Sequence, residues 1–342
     1  MTEPFSEAPA LCGRWRQPRQ MLADQRYDGH KSIHDDAMAE GLGLRAGPIE
    51  GPTHFSQFDP LLHHVFGQAW FETGCISAHY QNMVVEGEEV RAFVEPDPSQ
   101  PHLVRLHAEK RDGTPVLTGT ASVGDAEGLP HELHQRIARL RPATGLVINR
   151  DLRVGQRGTV VEKIRMGFDT HMGDHYPFTL AEKLQVITEP SPWYTRESGH
   201  ESPWGRPIIP TEMISVLLGS TSAQSGLSGR KPAVGLFAGQ QIRLLQGPLF
   251  VDQDYELERE IIALSESART ESVWIRTRVY ESASRALVAE MILNGAVMKA
   301  SYPDYESEAR ALYGSSSSSS ATVEQNDRSR IACPSVSLPA QP

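Results

Sequence analysis

The strongest constraint on the fold is an order of elements that occurs twice along the chain. In the first half, a turn over residues 47–53, rich in glycine and proline, leads into His54–Phe66, where apolar residues recur at helical spacing. In the second half, a similar turn over 205–211 leads into the helical segment Glu212–Leu218. The two copies lie about 160 residues apart, which is too long for the unit of a solenoid. The pattern therefore predicts a duplicated α+β domain.

Runs typical of β-strands follow both helices. In the first half they are Cys75–Tyr80, Glu89–Glu95, Leu103–Glu109 and Pro115–Val123. In the second half they are Gln240–Leu245, Tyr255–Leu264, Ser272–Tyr280 and Ala286–Asn294. The pair Asp112-Gly113 between two of these runs predicts a hairpin. We therefore expect each repeat to wrap one central helix in a long antiparallel sheet.

The ends of the chain have the composition of flexible segments. Six consecutive serines, Ser315–Ser320, open a polar tail that cannot bury enough apolar surface to offset the entropy of ordering it. The predicted organisation is a flexible N-terminus over 1–20, a first repeat with the candidate site over 21–127, a linker over 128–150, a degenerate second repeat over 151–301, and a tail over 302–342, disordered from about 314.

Charge and cysteine content exclude several functional classes. Asp and Glu number 43 against 33 Lys and Arg, so the formal net charge of −10 argues against nucleic acid as a main partner. The scattered cysteines Cys12, Cys75 and Cys333 form no metal-binding or disulfide pattern, which favours a reducing compartment. No apolar run is long enough to span a membrane, and Met1–Gln20 has no signal-peptide core. We expect a cytoplasmic protein.

A short polar segment before the first turn is the main candidate for chemistry. His34 follows the apolar residue Ile33, Asp36 stands two residues later and Ala39 five residues later. Asp28 precedes His34 by six residues. An imidazole exchanges protons near neutral pH, so a His and an Asp on one loop suit general acid–base catalysis.

With the turn Gly47–Gly51, this segment resembles the MaoC-like dehydratases, also called (R)-specific enoyl hydratases. Their motif runs Asp-x-Asn-Pro-(Ile/Leu)-His-x-Asp-x-x-Ala and is followed by a Gly-x-Pro-Ile-x-x-Gly turn. The duplicated pattern resembles their double-hotdog members. Lys31-Ser32 replaces Asn-Pro, and Asp28 lies one residue too early. A one-residue bulge at Gly29 would bring Asp28 back into reach; without it the site lacks its acid.

The resemblance implies a hydro-lyase, a hydratase or dehydratase acting on an acyl thioester. Coenzyme A or an acyl carrier protein would carry the acyl group, no separate cofactor would be needed, and homo-oligomerisation remains open. Its implied catalytic groups are Asp28, His34 and the Gly51 N–H, which would stabilise the thioester oxygen as negative charge develops. Tyr27, Ile49 and His54 are the implied substrate-binding residues.

The second repeat is degenerate at the matching positions. Glu189 stands in place of the Asp and Tyr194 in place of the His. Aligning the prolines of the two turns places Pro210 opposite Gly51, and proline has no N–H to donate. We therefore expect one working site, in the first repeat. The family's double-hotdog hydratases often keep the motif in the C-terminal half instead.

Two other functions fit the same sequence. A hotdog thioesterase would use a carboxylate near the central helix, for which Glu50 and Asp59 are candidates. A non-catalytic acyl-binding protein would explain the departures from the motif. The histidines and aspartates of 30–36 match no metal-binding spacing, so we expect no metal. His171 and His175 lie in glycine-containing loop sequence and are predicted to be on the surface.

Overall fold

The computed structural model describes residues 10–27, 30–125 and 128–314. Some predictions lie outside these residues: the flexibility of residues 1–9, the position of Asp28 with the bulge at Gly29, and the disorder expected beyond residue 314.

The described residues form twelve strands, ten of which make one antiparallel sheet that spans both repeats. The twelve strands are β1 Leu11–Cys12, β2 Arg26–Tyr27, β3 His30–Lys31, β4 Cys75–Tyr80, β5 Val90–Pro96, β6 Leu103–Lys110, β7 Pro115–Ser122, β8 Glu162–Ile164, β9 Gly235–Leu244, β10 Tyr255–Glu266, β11 Thr270–Glu281 and β12 Leu287–Met298. The sheet order is β1-β5-β6-β7-β4-β9-β12-β11-β10-β8, and β2 and β3 pair with each other in a separate two-stranded sheet. The β4–β9 pairing, with Cys75 opposite Arg243, joins the repeats.

Helices pack on both faces of the sheet, since Met291 lies in the core with the central helices and its strand neighbour Ile292 packs with Leu133 on the opposite face. They are α1 Asp36–Gly41, α2 Asp59–Phe66, α3 Ala69–Thr73, α4 Glu132–Ala138, α5 Leu180–Leu184, α6 Thr211–Gly219 and α7 Tyr305–Tyr313, with 3₁₀ helices at Gly51–Phe58, Pro192–Tyr194, Gly199–Glu201, Ser222–Ser225 and Lys299–Ser301. Within the described ranges, none of these helices has the length and apolarity required to cross a membrane.

The first central helix begins as the 3₁₀ helix Gly51–Phe58 and continues as α2. Pro60 lies in the first turn of α2, a position that tolerates proline. The expected break at this proline is thus a change from 3₁₀ to α-helix.

The two central helices pack against each other beneath the sheet. Phe55 and Phe58 of the first and Met213 and Leu217 of the second are fully buried in one core. Burying a side chain of this size contributes about 1.5–3 kcal/mol. This arrangement, a central helix wrapped by half of the sheet and used twice, confirms the predicted α+β double hotdog.

One buried carboxylate connects the central helices. Asp59 of α2 accepts hydrogen bonds from the Trp70 indole at 2.9 Å, the Thr211 hydroxyl at 2.7 Å and the Tyr194 hydroxyl at 3.2 Å. Burial raises the pKa of Asp59 to about 7. Because two of the donors belong to the second repeat, Asp59 fixes how the repeats sit together.

The described part of the N-terminal end is more ordered than predicted, and the described part of the C-terminal tail is packed against the protein. Residues 10–20 do not form a flexible segment: β1 pairs with β5, and the Arg16 guanidinium lies 2.5 Å from the Glu189 carboxylate. A two-residue strand has no periodicity that a sequence pattern could reveal. At the other end, Tyr302 and Tyr305 are buried in a cluster with Val147 of the predicted linker and Val297 of the second repeat, so the start of the predicted tail packs on both.

Candidate active site

A cavity of about 440 Å³ lies where the two repeats meet. Its first-repeat wall includes His34, Glu50 and Gly51, and its second-repeat wall includes Leu227 and Val273. The lining combines apolar residues with polar side chains from both repeats, and such a mixture is usual for a small-molecule site.

His34 is held in one orientation at the wall of this cavity. The buried neighbour Ile33 anchors the segment, and the His34 Nδ1 lies 2.5 Å from the Pro48 carbonyl oxygen. A carbonyl can only accept, so Nδ1 carries the hydrogen and Nε2 has a free lone pair. Burial lowers the pKa of His34 to about 4, against the opposing effect of the Pro48 bond. The ring is therefore neutral at physiological pH and can act as a base through Nε2.

The turn over residues 47–51 packs closely against the segment that carries His34. Asp36 accepts a hydrogen bond from the Gly47 N–H at 2.8 Å. A Cβ added to Gly47 would come within 2.1 Å of the His34 carbonyl oxygen. A glycine at this position therefore lets the turn approach the histidine segment closely.

Gly51 is the first residue of the central 3₁₀ helix and lines the cavity. The first N–H groups of a helix have no partner within it and carry partial positive charge. A Cβ on Gly51 would come within 2.6 Å of the Tyr80 ring. The glycine thus keeps the helix start close to Tyr80 at the cavity wall.

Glu50 also lines the cavity, although the sequence indicated it only as a candidate for the thioesterase alternative. It immediately precedes the helix, is 8% exposed and accepts a hydrogen bond from the Tyr176 hydroxyl at 3.2 Å. Burial raises the pKa of Glu50 to about 7; Lys183 and the Tyr176 bond lower it, while Glu212 raises it. A carboxyl of this kind exchanges protons near neutrality.

The remaining implied residues also line the cavity, except that Asp28 lies outside the described residues. Ile49 is buried, and the Tyr27 ring contacts the His175 ring at a centroid distance of 4.3 Å. His54 is buried, and its surroundings, above all desolvation and then Lys183, lower its pKa to about 3. The structure therefore brings Tyr27, His34, Ile49, Gly51 and His54 to one cavity.

The prediction that His175 lies on the surface was wrong. Its ring lines the same cavity, although it belongs to the second repeat. A contact between residues so far apart in the chain leaves no local sequence signal.

The predicted match between Pro210 and Gly51 was also wrong, by one residue. The Ile49 N–H donates to Val84, and the Ile209 N–H donates in the same way to Leu249. These bonds place Pro210 opposite Glu50. Gly51 is instead matched by Thr211, which begins α6 and retains an N–H. The prolines preceding the two helices lie at different distances from them, so aligning the prolines shifted the register.

At the matching positions, the second repeat has Glu189, which is paired with Arg16, and a tyrosine in place of His34. Tyr194 stands as far before Thr211 as His34 stands before Gly51, and its hydroxyl is bonded to Asp59. The rings of Phe71, Trp193 and Trp204 pack next to this segment with centroids 5.5–6.1 Å apart. The segment around Tyr194 is thus packed in the core and does not line the cavity.

The side-chain groups that bind metal ions in proteins are clusters of His, Cys, Asp and Glu. Across residues 10–27, 30–125 and 128–314, no group of three or more His, Cys, Asp or Glu side chains is arranged to hold a metal ion.

No family model and no curated protein matches the sequence. Solved structures do match. A MaoC domain protein dehydratase from Chloroflexus aurantiacus J-10-fl is 15% identical with a TM-score of 0.51, over 86% of this chain and 95% of that one. A conserved hypothetical protein from Mycobacterium tuberculosis, described as a double hotdog and as essential for bacterial survival during infection, is 11% identical with a TM-score of 0.49, over 86% and 97%. At this level of identity, the likeness to the Chloroflexus structure shows a shared fold.

Proposed function

We propose that this chain is a hydratase or dehydratase that adds water to, or removes it from, the α,β-bond of an acyl thioester. The observation that carries the proposal is the arrangement of His34 and Gly51 on one cavity. The imidazole has its Nδ1–H bonded to Pro48 and its Nε2 free, while the helix that begins at Gly51 presents an N–H for an enolate oxygen.

In the hydration direction, the His34 Nε2 takes a proton from water as the water oxygen bonds to Cβ. The electron pair of the α,β-bond moves toward the thioester carbonyl, whose oxygen is stabilised by the Gly51 N–H. A protonated carboxyl then gives its proton to Cα. Dehydration is the reverse, with the proton leaving Cα and the Cβ–oxygen bond breaking to release water.

Two carboxyls are candidates for the group that exchanges a proton with Cα. Asp28 is the residue implied by the family motif, whereas Glu50 is the one supported by described contacts. Glu50 lines the cavity next to Gly51, and its raised pKa of about 7 leaves about half of it protonated near neutral pH. We therefore assign the second role to Glu50.

The apolar part of the cavity favours an acyl chain as the group bound there. Val273 and Ile275 of β11 and Leu293 of β12 line it from the second repeat. Four neighbouring strands, β4, β9, β12 and β11, extend over about 14 Å at the usual strand spacing. The carrier would be coenzyme A or an acyl carrier protein.

The test measures turnover of the octenoyl thioesters of coenzyme A and of acyl carrier protein. Enoyl absorbance reports hydration, and release of free thiol reports hydrolysis. We expect the enoyl signal to fall without thiol release, and His34→Gln to abolish this change. Binding without any change of the thioester, in the wild type and in His34→Gln, would favour a non-catalytic acyl-binding protein.

A thioesterase is the second candidate, and Glu50 is the observation that favours it. A carboxylate next to the helix start could activate water for attack on the thioester carbonyl, with the Gly51 N–H stabilising the resulting oxyanion. Thiol release that depends on Glu50 and not on His34 would replace the lyase proposal with this one.

A further inference from the structure

A loop of the second repeat enters the site of the first. Over residues 173–176 the chain makes a tight turn, closed by the Tyr176 N–H donating to the Gly173 carbonyl at 3.0 Å. His175 is half-buried and Tyr176 is buried, whereas His171, just before the turn, is exposed. Two consecutive side chains of this loop therefore point away from solvent.

Two hydrogen bonds fasten the loop to the segment that precedes His34. The Arg26 N–H donates to the Asp174 carbonyl at 3.1 Å. The buried Gln25 side chain donates to the His175 carbonyl at 2.6 Å. The position of the loop is thus tied to β2, the strand that carries Tyr27.

Each of the two side chains contacts a residue of the first-repeat site. The His175 ring contacts the Tyr27 ring at 4.3 Å and lines the cavity. The Tyr176 hydroxyl donates to Glu50 at 3.2 Å. A Cβ added to Gly219, at the end of α6, would come within 2.5 Å of that hydroxyl, so the glycine leaves room for this hydrogen bond.

We propose that this second-repeat loop completes the active site, with His175 contacting the bound acyl thioester and Tyr176 positioning Glu50. The role of Glu50 in turnover rests on the proposed function. The binding and positioning roles themselves can be measured without turnover.

The groups around Glu50 determine how it responds to loss of the Tyr176 bond. Besides Tyr176, these are Lys183 of α5, Glu212 of α6, and the phenols Tyr27 and Tyr80. The Tyr176 bond and Lys183 favour the ionised carboxylate, whereas burial and Glu212 oppose it. Removing the hydroxyl should therefore raise the pKa of Glu50 further.

The first experiment measures binding of octanoyl-CoA, which has no α,β-bond to hydrate, by calorimetry. We expect His175→Ala to weaken binding by about tenfold, the loss of roughly one hydrogen bond. The matched control is His200→Ala, an exposed histidine of the second repeat that does not line the cavity, which should bind like the wild type. Equal affinity of both variants and the wild type would overturn the role of His175.

The second experiment follows the Glu50 carboxyl by ¹³C NMR during a pH titration, with the signal assigned from Glu50→Gln. We expect Tyr176→Phe to raise the pKa by about half to one unit. Tyr280→Phe, which removes another tyrosine–glutamate contact, should leave it unchanged. Gly219→Ala, which crowds the Tyr176 hydroxyl, should shift the pKa in the same direction as Tyr176→Phe. An unchanged pKa in both Tyr176→Phe and Gly219→Ala would overturn the positioning role.

The two proposals fail in different ways. Absence of turnover in the wild type, with His175→Ala weakened in binding and the Glu50 shift observed, would reject the lyase and retain the loop as part of a binding site. Turnover in the wild type, with unchanged binding in His175→Ala and an unchanged Glu50 pKa in Tyr176→Phe, would retain the lyase and reject the role of the loop.

Discussion

The His34 Nδ1 lies 2.5 Å from the Pro48 carbonyl oxygen, across the turn that begins the first central helix. This bond links the imidazole to the same turn that carries Glu50 and Gly51. Because one short segment sets the positions of all three groups, a base, an acid and an oxyanion donor can be presented to one substrate.

Replacing His34 removes the base in this account. We expect His34→Gln to lower kcat/KM for enoyl hydration by about 10²–10⁴, the usual contribution of a general acid–base group. His64→Gln, on the exposed side of α2, is the matched control and should retain full activity. A His34→Gln enzyme as active as the control would show that another group is the base.

The pH profile identifies the second group. Hydration needs neutral His34 and protonated Glu50, so kcat/KM should rise as pH rises through about 4 and fall as it rises through about 7. Glu50→Gln should remove the fall near neutral pH along with most of the activity. If Asp28→Asn removes that fall instead, the acid is Asp28, as the family motif implies.

A side chain at Gly51 should disturb the helix start. In Gly51→Ala the new Cβ meets the Tyr80 ring, and we expect a loss of about 1–3 kcal/mol in the free energy of unfolding. Gly41→Ala is the control, because a Cβ there meets nothing within 4 Å. A double-mutant cycle with Tyr80→Ala should show coupling between the two sites. Additive effects would mean that the clash is absent.

Asp59 should make stability depend on pH. Its pKa is raised from 3.8 to about 7, so the folded state binds its proton more tightly than the unfolded state does. This contribution is full below about pH 4 and is lost as pH rises through about 7. Asp59→Asn cannot ionise, so denaturant unfolding between about pH 4 and pH 8 should show a smaller decline with pH than the wild type.

The matched variant for Asp59 is Asp59→Ala. It leaves the donors Trp70, Tyr194 and Thr211 without their acceptor, and we expect it to be less stable than Asp59→Asn at every pH. Equal pH dependence of the wild type and Asp59→Asn would mean that Asp59 titrates normally in the folded state.

Local patterns predicted the strands well. Cys75–Tyr80 was predicted with both ends correct, and Tyr255–Leu264 with the correct start. Alternation of apolar and polar residues is a property of each strand alone, which is why it can be read without the fold. The β8 strand, Glu162–Ile164, was missed because three residues are too few to show alternation.

The site was predictable only where it lies within one segment. His34 and Gly51 were found because their motif and turn are continuous in sequence. His175 and Tyr176 were not, since their contacts with Tyr27 and Glu50 depend on how the second repeat docks onto the first. The one-residue error in matching Pro210 with Gly51 also arose because the information is not local. Only the backbone hydrogen bonds of Ile49 and Ile209 establish which residues of the two repeats correspond.

The most direct test of the central claim is to incubate the protein with octenoyl-CoA in heavy water and to analyse the product by mass spectrometry. We predict a 3-hydroxyacyl-CoA with one solvent deuterium at Cα, and no such product with His34→Gln. Free octenoic acid and free coenzyme A, without deuterium at Cα and with undiminished yield in His34→Gln, would contradict the account.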